Sequence, residues 1–338
     1  MNTTGIIGHQ SQINRLDLIL KSRNIPNTIL FSGPPSIGKR TIALRFLNAL
    51  FCESNNPPCL NCSACNQIAK GILPDLIAIS PNDKGIIPIG DRNKREAGSI
   101  RWLIERTSRK SFFNKTGVLI DRVDRATEEG QNALLKSIEE PGDSLFIILI
   151  TSNRTKLLPT ILSRCFEIRY SHLSKEEILK IIECEDLPQH DLDFIADISG
   201  GSVEIALLLL NKDIRFEILK ICNEISSFLN EKTILNLNFE IMKKNISIDL
   251  LLKIITNIYR HNLLSLISDN KNDPNIDGIY IKDDQKLFAL LKILLVLGRG
   301  AIYNLKPEIA LKGMLHALYN NSFEDMSMLK VPNLVLGG

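Results

Sequence analysis

The chain has 338 residues, 44% of them hydrophobic and 23% charged, with a formal net charge of +3. That length suits two or three domains, the composition is that of a globular protein, and the charge is too mild to indicate nucleic-acid binding by itself. Met1 to Gln10 lack the basic start and apolar run of a leader, and no apolar stretch is long enough to cross a bilayer. The expected location is therefore cytoplasmic, where structural disulfides are rare.

In chain order, apolar periodicity predicts a helix over 11–23, with Ile13, Leu16, Ile19 and Leu20 on one face. Thr28–Ser32 reads as a short strand, Gly33–Gly38 as a turn rich in Gly and Pro, and 40–51 as a helix. A Pro- and Cys-rich excursion, Asn55–Cys65, precedes a strand at Asp75–Ser80 and a polar loop at Asn82–Gly98, expected to be mobile. Then come a basic amphipathic helix (Ile100–Lys110), a strand (Gly117–Ile120), a helix (Glu129–Glu139) and a strand (Leu145–Thr151). A short helix begins at Pro159, and Phe166–Tyr170 is a last strand. Alternating strands and helices imply a parallel sheet covered on both faces. Beyond Tyr170, Ser174-Lys-Glu-Glu177 matches a capping box, Gly200-Gly201-Ser202 opens another helix, and 211–329 reads as helical except for Asp269–Gly278. Boundaries are expected near 170 and 210.

Gly33-Pro-Pro-Ser-Ile-Gly38-Lys39 matches the first seven positions of a Walker A loop, between a strand and a helix. Its glycines let backbone N–H groups face phosphate oxygens, and its lysine adds positive charge. The eighth position should be a hydroxyl that ligates Mg²⁺, but it is Arg40. Thr41 comes one residue late, about 100° further round the helix. Nucleotide binding, ATP or ADP, stays open, while Mg²⁺ positioning looks impaired. Val118-Leu-Ile-Asp121 matches a Walker B strand, whose carboxylate steadies Mg²⁺. The next position should be a glutamate that accepts a proton from water, but it is Arg122, and a cation cannot do this. Asp124 reads as a polar residue closing the strand; a substitute base is the alternative.

Cys52, Cys59, Cys62 and Cys65 have the spacing C-x6-C-x2-C-x2-C, which suits a closed tetrahedral structural Zn²⁺ site. A disulfide pair is the alternative, disfavoured by compartment. Cys165, Cys184 and Cys222 are scattered and read as core cysteines.

Asn132-Ala-Leu-Leu-Lys-Ser-Ile-Glu-Glu-Pro141, Thr160-Ile-Leu-Ser-Arg-Cys165 and Ile7-Gly8-His9-Gln10 together resemble the bacterial clamp-loader family of AAA+ proteins, in similar order and spacing over about 5–210. The resemblance implies a P-loop NTPase-like α/β base domain (1–170) with an inserted zinc module (about 52–65). It also implies a small helical lid (171–210) and an all-α collar (211–338). The first cysteine interval is shorter here than is usual in the family. Motor subunits of the family hydrolyse ATP and its delta-prime subunit does not. Arg40, Arg122 and Glu204, the last at the sensor-2 position, resemble the delta-prime pattern. Arg164 would be an arginine finger for a neighbouring ATPase site, and such fingers accelerate phosphoryl transfer ~10³–10⁵-fold. A surface ion pair is the alternative. Ser152 or Asn153 falls in the sensor-1 region.

The implied partners are the motor (gamma/tau) and delta subunits, the sliding clamp and primer-template DNA within the DNA polymerase III assembly. Arg92-Asn-Lys-Arg95, Arg101, Arg106, Arg109 and Lys110 form the densest basic run, read first as a solvated face and second as a phosphate contact. The Leu- and Ile-rich C-terminal helices read as an intrachain core, some of it available for a collar. Two rivals stay open: an ATP-hydrolysing motor of the same assembly, and a stand-alone zinc-dependent nucleic-acid-binding module.

Overall fold

The computed structural model describes residues 1–22, 24–91, 96–142, 144–183, 186–231, 233–235, 237, 246–267, 279–298 and 307–320. The chain divides into two compact units, Met1–Glu177 and Ile178–Gly338. Within the first, five parallel strands form one sheet in the order β2-β3-β4-β1-β5. The strands are β1 (Thr28–Ser32), β2 (Leu76–Ile79), β3 (Thr116–Ile120), β4 (Leu145–Thr151) and β5 (Phe166–Arg169). The helices of this unit are α1 (Gln10–Lys21), α2 (Lys39–Phe51), α3 (Ser63–Ala69), α4 (Ile100–Thr107), α5 (Glu128–Glu139), α6 (Pro159–Leu162) and the start of α7 (Lys175–Ile182).

The central strands β1, β3 and β4 are mostly apolar because both faces of the sheet are covered, whereas the edge strand β5 carries Glu167 and Arg169. Successive side chains point to opposite faces. Ile29 and Phe31 of β1 join one core with Leu16, Ile42 and Phe46 of α1 and α2. Leu30 joins the other, with Leu103, Leu134 and Ile138 of α4 and α5. Leu119 of β3 likewise separates from Val118 and Ile120. Gly117 sits in a tight spot: a Cβ there would lie 3.0 Å from Phe51 and 3.1 Å from Leu76.

Helix starts follow local chemistry. Ser99 Oγ accepts from Trp102 N at the head of α4, and Thr127 Oγ1 accepts from Gly130 N at the head of α5. The Ser174 box closes reciprocally, with Ser174 N donating to Glu177 Oε2 (2.8 Å) and Glu177 N donating to Ser174 Oγ (3.2 Å). The segment read as a mobile loop is anchored at Ile87, which is fully buried and bridges to Ala126. Three isoleucines, Ile86, Ile87 and Ile89, interrupted by Pro88 in an otherwise polar run show too little periodicity to signal that anchor. Arg92–Arg95 and Cys184 lie outside the described residues.

The second unit is helical among the described residues: the rest of α7, then α8 (Gln189–Ser199), α9 (Val203–Leu210), α10 (Lys212–Glu231), α11 (Ile248–Ile267), α12 (Asp284–Gly298) and α13 (Pro307–Tyr319). Its core includes Tyr259, whose hydroxyl donates to Cys222 O at 2.7 Å. Burial pushes the Cys222 thiol pKa up, consistent with a core cysteine. Arg215 is buried, and it donates to Leu209 O at 2.6 Å and pairs with Asp191 at 3.2 Å.

Candidate phosphate-loop site and four-cysteine cluster

The loop after β1 runs directly into α2. Gly33 N donates to Thr151 O at 3.3 Å, which ties the loop to the end of β4. A Cβ on Gly33 would collide with Tyr170 O at 2.3 Å, so β5 packs against this turn only because the residue is glycine. Ser36 and Gly38 both have positive φ (59° and 90°), and Gly38 faces open space. Successive turns of this kind aim backbone N–H groups at one point, and Gly38, at the N-cap of α2, has no side chain to occupy them. This backbone fits a phosphate group. His9 lies beside the loop, with Nε2 2.8 Å from Ile37 O and its ring edge-on to Tyr170.

Lys39 is 5% exposed, and its ammonium donates to Gly33 O at 2.7 Å and to Pro34 O. Burial lowers its pKa to about 8, against the attraction of Asp121 and Asp124. Arg40 points out of the helix start, and its guanidinium donates to Asp121 Oδ2 at 3.1 Å. The structure therefore joins the two positions that would share a Mg²⁺ ion in a hydrolytic loop. A guanidinium is all donor and cannot ligate a metal, so the residues at these positions do not fit Mg²⁺. Thr41 is exposed.

Arg122 is exposed and left-handed (φ 53°), and it starts the 3-10 turn at Val123–Arg125. Asp124 accepts from Thr151 Oγ1 (2.8 Å) and Ser152 N (3.2 Å), and so fastens the end of β4. Asn153 Oδ1 accepts from Thr155 N and Oγ1 within its own turn. Glu204, on α9 in the second unit, lies close enough to Lys253 to stabilise its charge.

Arg164 follows α6 and is 41% exposed. Its Nε pairs with Glu139 Oε1 at 2.8 Å, and Nη1 donates to Thr160 O at 3.1 Å. The surface ion pair is thus present, and a guanidinium so exposed is also able to reach outward. Neighbouring Cys165 has its pKa pushed up to about 12 by burial and by Glu167.

The four thiols of the excursion converge. The sulfurs of Cys52, Cys59, Cys62 and Cys65 all lie within 4.8 Å of one another. Cys52 closes α2, Cys62 caps α3, and Cys65 is buried in α3. Cys59 N donates to Cys52 Sγ and Cys62 N to Cys59 Sγ, both at 3.3 Å. Backbone N–H groups of Asn61 and Cys62 lower the Cys59 pKa, whereas burial raises that of Cys65. Tetrahedral Zn–S bonds of about 2.3 Å imply sulfur separations of about 3.8 Å, so the cluster fits zinc with little contraction.

Basic side chains of α4 and of the turn after it find partners close by. Arg101 donates to Gly90 O, Arg106 to Pro74 O, and Arg109 pairs with Glu105 at 2.8 Å. A cavity of about 450 Å³ lies elsewhere, lined by Ser11, Gln12, Arg15, Glu167, Ile168 and Arg169. It includes no residue of the phosphate loop. The sequence reading missed both this cavity and the Glu139 partner of Arg164, because each is made by residues distant in the chain.

The first unit is a P-loop-type α/β domain with a metal-competent four-cysteine insertion. Residues 8–174, just under half of the chain, match the sequence model of the family described as DNA polymerase III, delta subunit. Tau of Bacillus subtilis is 30% identical over 64% of this chain and 38% of its own length. The delta' subunit of the same organism is 27% identical over 57% of each chain. Gamma of Buchnera aphidicola subsp. Baizongia pistaciae is 28% identical over 93% of this chain and 81% of its own. The chain thus spans well under two thirds of several curated relatives, and the identities do not separate delta' from gamma or tau. A gamma-subunit-related protein of Thermotoga maritima is similar in structure at 18% identity and a TM-score of 0.49, covering 91% of this chain and 99% of that one. No helix among the described residues is long and apolar enough to cross a membrane.

Proposed function

We propose that the chain is a non-hydrolysing, delta-prime-type subunit of the DNA polymerase III clamp loader. In this reading it supports loading of the sliding clamp on primed DNA, beside motor (gamma/tau) and delta subunits in the cytoplasm. Its base domain (1–170), lid (171–210) and collar (211–338) take the family's roles, and structural zinc holds residues 52–65. The observation that carries the reading is the Arg40–Asp121 pair at 3.1 Å, which occupies the metal-binding corner with a side chain. Arg122 removes the base, and Glu204 stands where the family resemblance expects the sensor-2 arginine. Arg164 acts across a subunit boundary on the ATP site of a neighbour, leaving Glu139 to do so.

The test is ATP turnover. The isolated chain is expected to be silent, and a reconstituted loader carrying Arg164→Ala should lose at least tenfold in turnover with clamp and primed DNA. Turnover by the isolated chain would make it a motor, the second reading, which its similarity to tau and gamma relatives favours. A loader indifferent to Arg164→Ala would leave the chain only a scaffolding role.

A further inference from the structure

The phosphate loop keeps its backbone and lysine while its metal corner is filled from within the chain. Lys39 and Arg40 stand against Asp121 and Asp124, and Arg122 follows Asp121 directly in the chain, so the motif positions carry three positive charges to two negative. With a hydroxyl at position 40 and a carboxylate at 122, the balance would be one positive to three negative. Such a site repels a polyphosphate until a divalent cation is added. The present site does not, because Arg40 neutralises Asp121 directly. Arg40 uses one N–H for that contact and is 49% exposed. A guanidinium has five N–H donors, suited to phosphate oxygens, and needs no metal to present them.

We propose that this loop is a metal-independent site for a nucleoside di- or triphosphate, in which Arg40 supplies the charge that Mg²⁺ supplies in a hydrolytic loop. The loop backbone from Ser36 to Lys39 holds the phosphates, and Arg40 bridges them to Asp121. Free ADP or ATP is preferred over its Mg²⁺ complex, since the metal brings positive charge to a corner that already has it. The inference rests on the loop being non-hydrolysing and is independent of the role given to Arg164.

The test is the dissociation constant of ADP for the full chain, measured by calorimetry in EDTA and again in millimolar Mg²⁺, for the intact protein, Arg40→Thr and Arg40→Lys. The intact protein should bind in EDTA, with an affinity equal to or higher than in Mg²⁺. Arg40→Thr should weaken binding in EDTA at least tenfold and regain part of it when Mg²⁺ is added. Arg40→Lys should stay metal-independent. Binding of ADP by the intact protein only in Mg²⁺, or no binding in either condition, overturns the proposal. So does an Arg40→Thr protein indistinguishable from the intact one in EDTA. The intact protein alone decides the first two outcomes, so a misfolded variant does not rescue the idea. ATP hydrolysis by the isolated chain would instead sink the non-hydrolysing function, whatever the metal dependence of ADP.

Discussion

Lys39 is an ammonium buried to 5% exposure, held by two loop carbonyls rather than by a full counter-charge. Its pKa falls from 10.5 to about 8 because burial penalises the charged form. The sign of the pH effect follows from proton counting. Below about 8 both folded and unfolded chains hold the proton, and the folded state carries the whole penalty. Between about 8 and 10.5 only the unfolded chain holds it, so stability rises with pH across that window. Urea denaturation from pH 7 to 10.5 should show this rise in the intact chain and its loss in Lys39→Met. Equal slopes would mean that the ammonium is solvated. Arg164 presents the opposite case. Both it and Glu139 are more than 40% exposed, and such pairs contribute ~0–1 kcal/mol to stability. That weakness is what a side chain needs if it is to change partners on assembly.

Gly117 shows how tightly the elements of the sheet are fitted. Gly117→Val places methyl groups against Phe51, Leu76 and Leu47, which line the α2 side of β3. Overpacking of this kind costs ~1–3 kcal/mol, so the denaturation midpoint should fall while the circular-dichroism spectrum of the folded chain is kept. An unchanged midpoint would show that α2 moves away freely. The elements themselves were largely legible: all five segments read as strands formed strands, and the Ser174 box closed as written. The contacts that define the site were not. Arg40 and Asp121 are 81 residues apart and meet because β4 lies between β1 and β3, an order no local pattern encodes. The cysteine spacing was legible because all four ligands lie within 14 residues, where the chain has few ways to fold back.

At the scale of the whole molecule, two compact units carry separate apolar interiors, one around the sheet and one around Tyr259. Chains built this way commonly unfold in more than one step. The four-cysteine cluster lies wholly in the first unit, and a structural metal there contributes directly to its folding. Scanning calorimetry should therefore resolve a transition that drops by several degrees when zinc is stripped with a strong chelator, and another that does not move. Cys59→Ser should reproduce the chelated pattern and bind less than one equivalent of zinc by mass spectrometry. A single transition, shifted as a whole by the chelator, would show that the units unfold together.

The Arg40–Asp121 contact also bears on position 122. Arg40→Thr alone leaves Asp121 without its partner and Arg122 still in place of a base. Arg122→Glu alone adds a carboxylate to a corner that cannot take a metal. On the proposed non-hydrolysing reading, neither single substitution is expected to give turnover, because each leaves the other arginine in place. A metal corner and a base would therefore have to be installed together, which makes positions 40 and 122 interdependent.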